Sequence, residues 1–228
     1  MEQSDITKIR EVAMAMYDAV AIKEDDWGFC TSHPFVSCMV LSYRGDDIDI
    51  RTTEGRKWFR DYYQKLINRS SVARLSVLLV KQWRLGFFKY THRYMSPKDY
   101  ADFLKTAWIT CENPNQDASV SLHEAISFFC NADKKLIMND GELAYYSSLP
   151  AQVTVYRGVA KGRERLGLSW TDDIGKAIWF RDRWGECDKN YLLQATIKKE
   201  GVLCYFGERG ESELVCDIDK LQDIQEIR

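Results

Sequence analysis

The chain has 228 residues, of which 45% are hydrophobic, 13% aromatic and 29% charged, and a formal net charge of −2. These values exclude a disordered or collagen-like chain, and the length allows apolar burial to stabilise a fold without disulfide or metal staples. The longest strongly apolar stretch, Leu75 to Val80, is far short of the roughly 20 residues of a membrane-spanning helix.

Elements read from periodicity are helical before about residue 148 and strand-like after it. Ile6, Ile9, Val12, Met16 and Val20 recur at helical spacing behind Ser4, which predicts a capped helix over Asp5 to Val20. A more irregular stretch follows to about Thr53. Helices are then expected over Glu54 to Asn68 and Ser71 to Trp83, and a further one from Ser96-Pro97, a capping serine before a first-turn proline, to about Trp108. Ser121 and Glu124 form a capping-box pattern that opens a helix to about Cys130, and Glu142 to Ser147 reads as a short last one. Beyond Leu149-Pro150 come five strand signals, at Val153–Tyr156, Leu168–Thr171, Tyr191–Ile197, Val202–Phe206 and Glu213–Asp217. A helix from Asp173 to about Trp184, capped by Thr171 or Asp172, interrupts them.

Seven scattered cysteines without a C-x-x-C read as reduced core thiols. His33, His92 and His123 are far apart and show no ligand spacing, so no metal site is expected. The opening Met1-Glu2-Gln3-Ser4-Asp5 has neither the basic start nor the apolar run of a signal peptide, which points to a cytoplasmic chain with no membrane partner.

Three segments of the β-rich part carry chemistry. Tyr156-Arg157-Gly158 ends a strand, letting an arginine fork leave the sheet beside a glycine that admits a ligand close to the backbone. Ser169-Trp170-Thr171 sets two hydroxyls on one strand face. Glu211-Ser212-Glu213 sets two carboxylates on one face, where like charges resist joint ionisation unless a ligand or a division of roles relieves them. Each has a plain alternative: a surface ion pair, an ordinary polar strand, two solvated carboxylates.

In this order the segments resemble the R-S-E class of ADP-ribosyltransferases, which includes cholera-toxin-like, clostridial binary-toxin and vertebrate arginine-modifying enzymes. The likeness covers Val153 to Asp217, and the usual S-T-S is here S-W-T. It implies an α+β ADP-ribosyltransferase fold, a helical part followed by a split β-sheet core around an NAD cleft, with NAD as co-substrate. The domains expected are a helical, basic extension over 1–95 and a catalytic domain over 96–228.

By this resemblance Glu213 holds the ribose 2′-hydroxyl and stabilises the oxocarbenium-like centre, and Glu211 orients or deprotonates the acceptor. Arg157 clamps a phosphate, Gly158 contacts the nicotinamide amide, and Ser169, with Thr171, keeps Glu213 and the ribose in register. Phe180 and Arg183 fall where the binary-toxin branch has a nicotinamide-stacking ring and a second phosphate-binding arginine; a core ring and a solvated charge are the alternatives. Phe206, Gly207, Glu208 and Arg209, before Gly210, resemble the target-recognition loop, with an exposed aromatic and two mobile glycines. A simple hairpin turn is the other possibility.

Between Gly55 and Met95 ten Lys and Arg face Asp61 alone, a net +9, so −2 minus +9 leaves −11 for the rest. Trp58, Phe59, Tyr62, Tyr63, Trp83, Phe87, Phe88, Tyr90 and Tyr94 are interleaved with these charges, a pattern suited to unpaired RNA or DNA. Amphipathic helices with core aromatics and solvated charges fit the same pattern, and so does a surface that docks an acidic inhibitor protein. The expectation is a mono-ADP-ribosyltransferase acting on an intracellular macromolecule, RNA favoured over protein arginine, as a bacterial or phage toxin or defence effector with a possible antitoxin partner. Non-catalytic NAD or RNA binding and NAD glycohydrolysis are the other readings.

Overall fold

The computed structural model describes residues 2–22, 33–36, 52–185, 189–208 and 210–227. Most of the irregular stretch expected before Thr53 lies outside them, as do Cys30, Cys38 and Cys187. Contacts divide the chain into two compact units, Met1–Pro114 and Asn115–Arg228, giving an α+β protein with helices in both and two small antiparallel sheets in the second.

In the first unit α1 (Ile6–Ala19) is capped by Asp5, whose side chain accepts from the Lys8 N–H, one residue later than Ser4. Ser4 instead donates its hydroxyl to Asp99 at 2.5 Å and accepts from the Ser96 N–H at 2.7 Å, tying the chain start to the next helix but three. Ile9, Ala13 and Tyr17 form the buried stripe of α1. α2 (Thr53–Arg69) packs against it, capped by Thr52. The helix expected over Ser71 to Trp83 is cut short: α3 (Val72–Leu78) stops at Leu79 and Val80, whose backbones are extended, and α4 (Arg84–Thr91) begins after one 3-10 turn. Phe87 and Phe88 in α4, past the end of the expected helix, are core residues. α5 (Pro97–Thr110), with Ser96 as cap and Pro97 in its first turn, packs on α3 and α4 within the first unit.

His33 is buried in this unit. Its Nδ1 accepts from the Phe35 N–H at 3.1 Å, so Nε2, 3.0 Å from the Tyr17 carbonyl, carries the hydrogen. Desolvation lowers its pKa below the ordinary histidine value.

The second unit opens with three helices, α6 (Leu122–Asn131), α7 (Lys134–Ile137) and α8 (Asp140–Ser148). Both capping bonds of the Ser121/Glu124 box are present. A second box, Asn139 with Glu142, starts α8 and buries Glu142. Six strands follow: β1 (Gln152–Val159), β2 (Ser169–Trp170), β3 (Tyr191–Lys198), β4 (Val202–Phe206), β5 (Glu213–Cys216) and β6 (Leu221–Ile227). One sheet runs β1-β3-β6 and the other β2-β5-β4, all pairs antiparallel. An isolated bridge joins them, with Tyr156 N–H to the Thr171 carbonyl at 2.7 Å and Thr171 N–H to the Tyr156 carbonyl at 2.9 Å. Val153, Val155, Trp170, Leu193, Ile197, Val202 and Leu214 share one apolar core. The strand β6 gave no alternating signal because Leu221, Ile224 and Ile227 recur every third residue and Asp223 has a φ of 52°.

α9 (Ile174–Asp182) lies on β1. Its cap is Asp173, which accepts from the Gly175 and Lys176 N–H groups, rather than Thr171 or Asp172. Gly158 permits the contact: a β-carbon there would sit 1.8 Å from the Ala177 carbonyl oxygen and 2.5 Å from the Arg181 nitrogen. Backbone cannot yield as a flexible side chain does, so Gly158→Ala is expected to destabilise by about 3 kcal/mol. At Gly141 the nearest atom to an added β-carbon is 3.4 Å away, and Gly141→Ala should leave stability unchanged within about 0.5 kcal/mol. Denaturant midpoints of the two variants check the contrast.

Candidate active site

Of the candidate residues, Arg157, Ser169 and Glu213 come together where the two sheets of the second unit adjoin. Arg157 pairs with Leu193 in β1, one residue past the bridge, so β1 and β2 have already separated when its side chain leaves the strand. The guanidinium spans the gap. Nη1 donates to the Ser169 carbonyl at 2.8 Å, Nη2 to the Glu164 carbonyl at 3.2 Å and Nε to the Arg165 carbonyl at 3.3 Å. These bonds use three of five N–H donors, which leaves two for an anion. Desolvation lowers the Arg157 pKa to about 10, with Glu213 and Tyr191 opposing the fall, so the group is a cation at neutral pH.

Ser169 is fixed from the other side by Asn115. The Asn115 Nδ2 donates to Ser169 Oγ at 2.9 Å and its Oδ1 accepts from the Leu168 N–H at 2.6 Å. Gly167 makes room, since a β-carbon there would fall 2.6 Å from Asn115 Oδ1 and 2.9 Å from Arg157 Nη2. Trp170 points into the core and donates to the Gly167 carbonyl at 2.7 Å, which explains how the S-W-T variant accommodates a large central residue. Thr171 is buried, and its hydroxyl accepts from the Asp173 N–H at 3.1 Å, shaping the turn into α9.

Glu213 opens β5 opposite Phe206 of β4, while Val215 and Leu214 pair with Ser169 and Trp170. Its carboxylate raises the Arg157 pKa, and with burial as the larger cause it raises those of Cys204 and Cys216. Both thiols stay protonated, which removes them as nucleophiles. Glu211 is placed differently from expectation. It precedes the strand, and Ser212 between the glutamates has a φ of 51°, a left-handed conformation that breaks the alternation putting both carboxylates on one face.

No family profile, curated protein or solved structure matches the chain.

β4 and β5 pair as a hairpin, and beyond Phe206 the Gly210 N–H donates to the Gly207 carbonyl at 2.9 Å. Phe206 is not the exposed ring expected of a recognition loop. It is 5% exposed and lies 6.3 Å from Phe129 between ring centres. Gly207 and Glu208 are anchored to the start of α8, through the Gly207 N–H to Glu142 at 3.0 Å and Asn139 Nδ2 to Glu208 at 2.8 Å. Arg209 lies outside the described residues.

Gly158 keeps its place in β1, but the space its missing side chain leaves is filled by α9 rather than by a ligand. Phe180 is half-buried near the end of α9. Just past that end, the Arg183 guanidinium lies 4.6 Å from the Trp184 ring centre, 5.4 Å from Trp179 and 5.7 Å from Phe180. Trp179 and Trp184 are exposed.

Residues that motif spacing did not single out complete the neighbourhood. Tyr145 donates its hydroxyl to Asp172 and stacks on Tyr205 with ring centres 4.2 Å apart; burial, and then the bond to Asp172, push its pKa up. Tyr205 pairs with Leu214, next to Glu213. Asn115 lies 54 residues before Ser169, and no local pattern marks it. Of the thiols, Cys204 and Cys216 are buried as expected, Cys111 is partly exposed and Cys130 is exposed. Among the described residues no cluster of His, Cys, Asp and Glu could hold a metal ion, and no helix is long and apolar enough to cross a membrane.

Asn115→Ala removes the acceptor for Leu168 and the donor to Ser169, an expected loss of about 1–3 kcal/mol in unfolding free energy. Asn115→Asp keeps an acceptor for Leu168 and should lose less; thermal unfolding of both variants gives the order.

Proposed function

We propose that the chain is an NAD-dependent mono-ADP-ribosyltransferase whose acceptor is RNA. The observation that carries the transferase reading is the meeting of a cation and a carboxylate at the sheet seam. Arg157 bonds Ser169, and Glu213 opposes the loss of Arg157's charge. The two remaining N–H groups of Arg157 suit a pyrophosphate oxygen, since a fixed fork recognises phosphate better than a mobile ammonium.

The bond that breaks joins C1′ of the nicotinamide ribose to the ring nitrogen, and nicotinamide leaves with the electron pair. Positive charge develops at C1′ and the ring oxygen, as in glycoside hydrolysis. Glu213 accepts a hydrogen bond from the 2′-hydroxyl and stabilises that charge. The acceptor's hydroxyl or amine attacks C1′ and loses a proton to a base, the role assigned to Glu211. RNA is favoured as acceptor by the basic, aromatic block of the first unit. That block is only partly available: Arg60 pairs with Asp18 at 2.7 Å, Arg84 is buried against the Leu79 carbonyl and Thr110, and Phe59, Phe87 and Phe88 are core. Trp58 and Tyr90 remain exposed. A cytoplasmic toxin or phage-defence effector held by an antitoxin is the setting such an enzyme fits.

One observation favours a second reading. With Glu211 outside the strand and Ser212 left-handed, the acceptor base is not aligned with Glu213. NAD glycohydrolysis, with water as acceptor, needs Glu213 and no such alignment.

The chain incubated with NAD labelled in its adenylate phosphate and a cell lysate is expected to label material that nuclease removes and protease does not. Label lost only with protease contradicts the RNA acceptor, and nicotinamide release without label identifies the glycohydrolase. Glu213→Gln should lower nicotinamide release by at least about 100-fold while NAD still binds. Release at the wild-type rate removes the role given to Glu213.

A further inference from the structure

We propose that the flank of α2 carrying Trp58 and Tyr62 is a binding platform for single-stranded RNA, with a base stacked on the Trp58–Tyr62 pair and phosphates held by Lys65 and Arg69. The choice of RNA rests on the acceptor reading above. The platform itself rests on α2.

The inward face of α2 is set by Gly55, Phe59 and Ile67, which are buried. At 3.6 residues per turn, positions 58, 62, 65 and 69 fall within one narrow stripe along the flank of that face, beside Gly55 and on the side opposite Ile67. Trp58 is 38% exposed, Lys65 and Arg69 are exposed, and Tyr62 is partly buried. The rings of Trp58 and Tyr62 lie 5.1 Å apart at an interplanar angle of 8°. They therefore stack in register along the helix, as residues four apart can. Phe59, a core ring, meets Trp58 edge-on at 5.3 Å, and the partly buried Tyr63 meets Tyr62 edge-on at 5.7 Å, so both rings of the pair are braced from the side.

Two facts choose the occupant. A rigid aromatic surface beside a backbone-tracking line of cations suits unpaired bases, whereas a duplex hides its base faces. The charge is also one-sided: from Arg56 to Arg69 the helix carries Arg56, Lys57, Arg60, Lys65 and Arg69 against Asp61, and Arg60 is already engaged by Asp18. An acidic protein would use the cations but has no need of the stacked rings, and this difference makes the occupant testable.

Fluorescence anisotropy of the full chain with an end-labelled, mixed-sequence single-stranded RNA and a duplex of equal length reads the proposal. The single strand should bind more tightly. Trp58→Ala should weaken it about tenfold, the order of one lost base stack, with the salt dependence unchanged, and Trp58→Phe should recover most of the loss. Lys65→Glu with Arg69→Glu should make the slope of log K against log salt shallower by about 1.4, two contacts at about 0.7 each. Circular dichroism melting confirms that each variant is folded. Equal affinity for duplex, or a Trp58→Ala chain that binds as well as wild type, overturns the proposal, as does loss through the charge variants alone. Nicotinamide release measured without RNA, with water as the acceptor, separates this result from the transferase reading, because the α2 variants should keep it and Glu213→Gln should lose it while still binding RNA.

Discussion

Beyond Tyr156 and Thr171 the strands β1 and β2 separate after one bridge, and carbonyls of residues 164, 165 and 169 are left facing the gap. The Ser169 carbonyl is part-buried there, and a buried acceptor left without a donor costs on the order of 1–3 kcal/mol. The guanidinium of Arg157 donates to all three, and no other side chain has donors that diverge in one plane to do so. The second unit can therefore keep its two sheets parted beyond the bridge. Gly158 and Gly167 follow from the same constraint: one admits the backbone of α9 and the other leaves room for Arg157 and Asn115.

Charge placement follows from the seam as well. A buried cation at a sheet opening is tolerated when a carboxylate opposes its desolvation, and Glu213 does so from the first position of β5. Burial keeps the thiols of Cys204 and Cys216 neutral, and the same carboxylate adds to that effect. Glu213 is thus set by the strand, whereas Glu211 is set by the turn, and the two carboxylates differ in how firmly the fold positions them. Such a division suits a pair in which one group stabilises charge on a bound sugar and the other meets an acceptor that varies.

Much of this was legible in the sequence where local rules decide. Ser121 with Glu124, Ser96 before Pro97 and the alternation around Val153 and Val155 each act through neighbours a few residues away, and helices or strands formed there. Arg157, Ser169 and Glu213 were also legible, because strand order and type brought them to one seam. What escaped depended on distant partners or on single dihedral angles. Leu79 and Val80 look helical in composition, yet their extended backbones end α3 and let the chain turn. Ser212 takes a left-handed φ that alternation rules reserve for glycine, so the two glutamates are not side by side. Asn115 acts on Leu168 and Ser169 across 53 and 54 residues, and Phe206 is buried by Phe129 from another element.

The central claim is that Arg157 both closes the seam and clamps NAD, and the affinity for NAD of an arginine-to-lysine variant tests it most directly. Lysine keeps the positive charge but lacks the planar fork, so it cannot serve three carbonyls and a phosphate together. Isothermal titration of folded Arg157→Lys with NAD should give a dissociation constant at least about tenfold weaker than wild type, the loss of a bidentate charged bond. An unchanged dissociation constant in a folded variant would contradict the account.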